Sequence, residues 1–164
     1  MLILNLETKK SNLKLDERGM SKVEDFLTVV QEQEIIDAIR LAEKNTSGEI
    51  RVHLEKSTEK DTLERAKEVF YFLKMDTTKE QNGVLFYVAV DDKKLSIIGD
   101  KGINDLVPND FWNTIKKNVI SQFKKGNYTE GLIHGILESG VKLKQYFPYQ
   151  NHDKNELPDS ISLS

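Results

Sequence analysis

Hydrophobic positions along this chain change period several times, and each change marks an element. Ile35, Ile36, Ile39 and Ala42 recur at helical spacing behind Thr28 and Gln31, a capping-box pair, which predicts a first helix over about Thr28 to Asn45. Thr46-Ser47-Gly48 breaks it. Glu49 to Glu55 then alternates strictly, with Ile50, Val52 and Leu54 on one side, the pattern of a half-exposed strand. Asp61 is placed to cap a second helix carrying Leu63, Ala66, Phe70 and Leu73 on one stripe. A polar loop leads from it into Val84 to Val90, a continuous apolar run that reads as a central strand.

Asp91-Asp92-Lys93 supplies turn chemistry, and Leu95, Ile97 and Ile98 resume an apolar strand that should return antiparallel. The first two strands are separated by about twenty-six residues containing a helix, so a right-handed crossover should set them parallel. Phe111, Trp112, Ile115, Val119 and Phe123 predict a third helix stopped by Gly126-Asn127. A fourth carries Leu132, Ile133, Ile136, Leu137 and Val141, with Thr129 as its expected cap and Pro148 after its end. Aromatic residues at helical spacing, Trp112, Phe111 and Phe123 here, are expected to seal a sheet face.

A length of 164 residues, 38% hydrophobic and 31% charged, predicts one soluble domain. Net charge is −3 with the basic residues dispersed, which argues against nucleic acid as a partner. No cysteine is present, so disulfides, cysteine nucleophiles and thiolate zinc sites are excluded. Met1 to Leu6 is too short for a secretory core or a span, so no membrane insertion is expected and a cytoplasmic location is the default. Residues 1–19 read as a disordered N-terminal extension with Met20 as the native start, residues 20–148 as the folded domain, and residues 149–164 as a disordered tail.

The connectivity brings candidate chemistry to one sheet edge. Two parallel strands begin there and the antiparallel third ends there, so Glu49, Asn82 and Asp100 should converge, an oxygen-donor set suited to calcium or magnesium. The competing reading makes Asn82 and Asp100 turn and cap residues and Glu49 a solvated edge residue. Phosphate-ester hydrolysis would have to be metal-assisted: there is no Arg-His-Gly triplet, no Asp-x-Asp pair and no Walker loop. His53, His134 and His152 lack ligand spacing, His53 being expected on an exposed strand face and His134 on a helix surface. Arg51 is expected to be a cross-strand charge partner, Asp91-Asp92 an exposed hairpin tip, and Lys116, Lys117, Lys124 and Lys125 a solvated flank.

Six pieces in order, Ser47-Gly48-Glu49-Ile50, Arg65-Ala66, Asn82-Gly83-Val84, Ile98-Gly99-Asp100-x-Gly102-Ile103, Phe111-Trp112 and Tyr146-Phe147-Pro148, resemble the TPM domain. That family is named after thylakoid acid phosphatase, a photosystem II repair protein and a receptor-modulating membrane protein. The likeness runs from about Phe26 to Pro148 and is strongest to the small soluble bacterial branch. It implies a three-layer α/β/α sandwich around a short mixed sheet, Rossmann-like in outline. It also implies a choice of functions, since some members are described as acid phosphatases, some bind calcium and others assist membrane-protein maintenance. Asn104 stands where the family commonly has His, which argues against an acid/base role at that turn. The expectation is a non-catalytic binding module with a calcium or magnesium site at Glu49, Asn82 and Asp100 and a membrane-associated protein partner. The alternative is a weak metal-dependent acid phosphatase acting on phosphomonoesters.

Overall fold

The computed structural model describes residues 26–149 and 156–164. The expectations for residues 1–19 lie outside the described residues. In chain order the elements are α1 (Val29–Glu43), β1 (Glu49–Glu55), α2 (Thr62–Phe72), a 3₁₀ turn (Met75–Thr77), β2 (Gly83–Ala89), β3 (Lys94–Gly99), α3 (Lys101–Asn104), α4 (Asn113–Lys124), α5 (Tyr128–Lys144) and β4 (Ser162–Leu163). The sheet order is β3-β2-β1-β4, with β1 parallel to both β2 and β4 and β3 antiparallel to β2.

The capping reasons hold for the first two helices. Thr28 and Gln31 exchange both bonds of a capping box, and Asp61 accepts from the Leu63 and Glu64 N–H groups. At α5 the N-terminal residue is Asn127, whose side chain makes no cap bond, while Thr129 lies inside the first turn and is buried. α4 begins at Asn113, so Phe111 and Trp112 precede it and pack edge to face at 4.7 Å.

One face of the sheet carries Ile50, Val52, Leu54, Val84, Phe86 and Val88, covered by α1, α4 and α5 through residues such as Ile35, Ile39, Val119, Phe123 and Ile136. α1 and α5 approach so closely that a Cβ on Gly140 would lie 2.8 Å from Ala42 Cβ. The opposite face is smaller: Ala66, Val69 and Phe70 of α2, with Met75 and Leu157, cover Leu85, Tyr87 and Ala89.

Two expectations are corrected. β1 is buried along almost its whole length, on both faces, because its polar side is roofed instead of solvated. The roof includes residues 156–164, expected to be a loose tail. Ser160, Ser162 and Ser164 alternate with Ile161 and Leu163, a strand pattern too short to stand out in a polar context. Ile161 enters the larger core at 1% exposure, and β4 pairs His53 with Ser162 and Leu54 with Leu163. Ile161→Ala should therefore destabilise the domain by about 2–5 kcal/mol. Urea unfolding measures this, and a midpoint indistinguishable from wild type would mean that the segment is not packed in solution.

Candidate functional site

The start of the parallel strands is assembled as the connectivity required, at backbone level. Glu49 pairs with Gly83, Glu49 N–H donates to Asn82 O (3.2 Å), and Asp100 N–H donates to Gly83 O (2.9 Å). The side chains then part company. Glu49 and Asp100 share a sheet face but stand on either side of Gly83, two interstrand steps or about 10 Å apart. Between them, Met75 and Leu157 close over Gly83: a Cβ there would meet Met75 O at 3.0 Å and Leu157 Cδ1 at 3.6 Å. Asn82 is spent on its loop, its Nδ2 donating to Ser47 Oγ (3.2 Å) and Glu80 Oε2 (3.3 Å) and its Oδ1 facing the Thr78 hydroxyl (3.4 Å). Among the described residues no group of three or more His, Cys, Asp or Glu side chains is arranged to hold a metal ion.

Asp100 caps α3, its Oδ1 accepting from Lys101 N–H at 2.7 Å. Its other oxygen, Oδ2, is buried with no hydrogen-bond partner, and the residue as a whole is 8% exposed. Gly102 explains how the turn is held: a Cβ would fall 2.2 Å from Glu80 O and 2.6 Å from Gln81 O, so only glycine lets α3 seat beneath that loop. Asp100 lines a cleft of about 240 Å³, bounded by Lys67, Phe70 and Tyr71 of α2, Ile98 and Gly99 of β3, and Lys101 and Asn104 of α3. Asn104 Nδ2 donates to Gly99 O at 2.9 Å, and Lys101 Nζ is held by Asp105 at 2.7 Å. Tyr71 on the cleft wall is 63% exposed.

Glu49 belongs to a different cluster. Its Oε1 accepts from Leu157 N–H at 2.8 Å and its Oε2 is buried without a partner. Burial pushes its carboxyl up to about 7, against the lowering by the Leu157 and Glu156 N–H groups and with the Glu156 and Asp159 charges adding to the rise. Glu43, at the end of α1, is pushed up to about 10, chiefly by burial, then by the side-chain hydrogen bond and charge of Asp159. Asp159 also faces Arg40 Nε at 3.4 Å. No local pattern pointed to Glu43, since its partner lies in the C-terminal segment.

Further along β1, His53 is 2% exposed instead of solvent-facing, its Nδ1 2.9 Å from Ser162 Oγ and its Nε2 2.6 Å from Ser164 Oγ. Burial holds its pKa down to about 4. Arg51, expected to have a charge partner across the sheet, is buried without an ion pair among the described residues, and its Nε has no acceptor. Glu55 closes the row, gripped by Arg65 through Nε (3.0 Å) and Nη2 (2.7 Å) and by the Tyr87 hydroxyl. His134 and the Asp91-Asp92 tip are exposed as expected.

A family model described as the TPM domain matches residues 20–141. Among solved structures, the NMR structure of the BA42 protein from the psychrophilic bacterium Bizionia argentinensis is 58% identical. Its TM-score is 0.82, and the match covers 88% of this chain and all of that one. The N-terminal domain of a P. gingivalis protein, 20% identical with a TM-score of 0.62, covers 90% of this chain and 93% of that one and shares the fold. No curated protein matches the sequence.

The acid cluster sets a pH dependence. Glu43 and Glu49 bind protons more tightly folded than unfolded, so their contribution is full below about 4.5 and is lost as pH rises through about 7 for Glu49 and about 10 for Glu43. His53 acts oppositely, its contribution being present above about 6.5 and lost as pH falls through about 4. Between about pH 8 and 10 only Glu43 of these three still titrates, so stability should fall there with a slope of at most about 1.4 kcal/mol per pH unit. Glu43→Gln should flatten that slope in urea titrations at stepped pH; a wild-type curve already flat from 8 to 9 would refute the assignment.

Proposed function

The chain belongs to the TPM domain family, and we propose that this member is a non-catalytic binding module whose site is the Asp100 cleft and whose ligand presents a positive charge there. One observation carries the reading: Asp100 Oδ2 is a carboxylate oxygen withdrawn from water with no donor of its own. A buried acceptor left unmet costs roughly 1–3 kcal/mol, more when charged, and a cation recovers that cost. The cleft walls support recognition better than catalysis. Phe70 and Tyr71 supply apolar surface, and among the lining residues no nucleophile sits beside a base.

The charge can come from two sources, a hard divalent ion such as calcium or magnesium, or a basic side chain of a protein partner. The family resemblance adds a membrane-protein complex as the setting for such a partner. Among the described residues no helix is long and apolar enough to cross a membrane.

Titration of the ¹⁵N-labelled protein with calcium chloride, magnesium chloride and N-acetyl-arginine amide separates the sources. At least one should shift the amides of Asp100 to Asn104, saturating on the order of millimolar as befits a single carboxylate, and Asp100→Asn should abolish the shift. No response from any of the three overturns the proposal. A generic phosphomonoester assay with each metal should show no turnover; activity that drops at least about tenfold in Asp100→Asn and Glu49→Gln would replace the binding module with the metal-dependent phosphatase.

A further inference from the structure

Glu49, Arg51, His53 and Glu55 alternate along the polar face of β1, and of these Arg51 alone has no means of losing or sharing its charge. Glu49 and His53 change protonation state, and Glu55 is gripped by Arg65 and Tyr87. A guanidinium stays protonated wherever a protein is folded. Arg51 is 5% exposed, its Nε is buried with no acceptor, and among the described residues no carboxylate pairs with it. Burial alone lowers its pKa from the ordinary guanidinium value, with no neighbouring anion pulling the other way.

A second donor beside it is equally unmet. The C-terminal segment follows β1 in parallel: Leu157 N–H reaches the Glu49 side chain at 2.8 Å, Asp159 meets Glu43 where Glu43 also takes the Ile50 N–H, and Ser162 pairs with His53. Ser160 stands two positions before Ser162 as Arg51 stands two before His53, which sets the two side by side on adjoining backbones. Ile161 enters the larger core, so Ser160 turns to the polar side with Arg51. The Ser160 Oγ is buried without a partner. What both groups lack is an acceptor, and one that carries negative charge also offsets the guanidinium. The carboxylates nearby are engaged elsewhere or out of reach: Asp159 is held by Glu43 and Arg40, and Glu49 Oε2 is itself unmatched and so does not meet Arg51 Nε.

We propose that Arg51 and Ser160 hold a small monovalent anion of the halide class, enclosed between β1 and the C-terminal segment. The size follows from closure, since Arg51 is 5% and Ser160 2% exposed: an ion enters when residues 156–164 part from β1 and is sealed in when they return. β4 is only two residues long, a ladder short enough to open locally without unfolding the domain. The anion then acts as a clasp, because a ligand bound only in the closed state stabilises that state by mass action. The site goes beyond the Asp100 cleft and shares no residue with it.

The ¹⁵N-labelled full chain, dialysed free of halide, is titrated with sodium chloride and, at equal ionic strength, with sodium gluconate, whose anion is too large to be enclosed. Chloride should move the Arg51 Nε–Hε and Ser160 amide resonances along a saturating curve, and gluconate should not. The urea midpoint should rise with chloride beyond its value in gluconate, and Arg51→Gln should remove that excess. Ser160→Ala, which keeps the guanidinium in place, should weaken chloride binding at least about threefold, the worth of one hydrogen bond, and keeps the proposal decidable if Arg51→Gln does not fold. Asp100→Asn should leave chloride binding unchanged, so loss of the Asp100 cation response and loss of the halide response are separate results. Chloride and gluconate acting alike, a shift that never saturates, or unchanged affinity in Ser160→Ala each overturn the proposal, and the first assigns the two donors to an internal water. A chloride response abolished by Asp100→Asn overturns it as well.

Discussion

A β-sheet can leave an edge open only where something tolerates a row of unpaired peptide groups, and the disposition of edges organises this molecule. The crossover between β1 and β2 and the hairpin to β3 build three strands whose two outer members are β1 and β3. β1 carries Glu49, Arg51, His53 and Glu55 on one face, and no helix of the described structure supplies a polar roof for all four. The C-terminal segment meets three of them, Leu157 N–H donating to Glu49, Ser162 and Ser164 standing against His53 and Ser164 donating to Glu55, by pairing beside β1 as β4 while Ile161 enters the opposite core. Once that edge is taken, β3 is the other outer strand of the sheet among the described residues.

Closing β1 with this segment brings ionisable groups into a confined space, and the structure resolves each in a different way. Glu55 stays charged because Arg65 and Tyr87 surround it with donors, which pull its pKa below the usual range despite burial. His53 stays neutral between two hydroxyls. Burial raises Glu43 to about 10 and Glu49 to about 7, with no described cation paired with either while Arg40 is directed to Asp159. Three neutralisation routes on one strand and its neighbours, by donors, by hydroxyls and by protonation, keep the β1 edge shut without a buried unpaired carboxylate charge. Arg51 is the exception, a buried guanidinium with an unmatched Nε.

What could be read in advance follows from the range of each interaction. The helices announced themselves through 3.6-residue spacing and caps at Thr28 and Asp61, and the crossover through the length between Glu55 and Asn82, all local quantities. The GDxG turn was legible as a turn, and its Gly102 is explained by the carbonyls of Glu80 and Gln81 that press on it. Strict alternation in β1 was read as half-exposure because solvent is the usual reason for a polar face. Here the reason lies more than a hundred residues later, at Ser162, and no local pattern carries that information. Glu43 was missed for the same cause, its partner being Asp159. The convergence of Glu49, Asn82 and Asp100 was legible as topology, while the direction of each side chain depended on Gly83, whose missing Cβ admits Met75 and Leu157.

That wedge is what assigns the chemistry. Had position 83 carried a side chain of its own, Met75 and Leu157 would stand farther off and Glu49 could lean toward Asp100 across open space. With glycine there, the Met75 carbonyl and the Met75 and Leu157 side chains fill the gap, Glu49 turns to the C-terminal segment, and Asp100 is left with one oxygen committed to α3 and the other to nothing. The carboxylate on β1 thus serves the closure, and the one after β3 retains an unmet bond. An unmet acceptor is tolerated in a packed protein at a cost comparable to a tenth or more of typical domain stability. Its position in a cleft walled by Phe70 and Tyr71 gives that cost a use, because a cation entering there supplies what the unmet oxygen lacks.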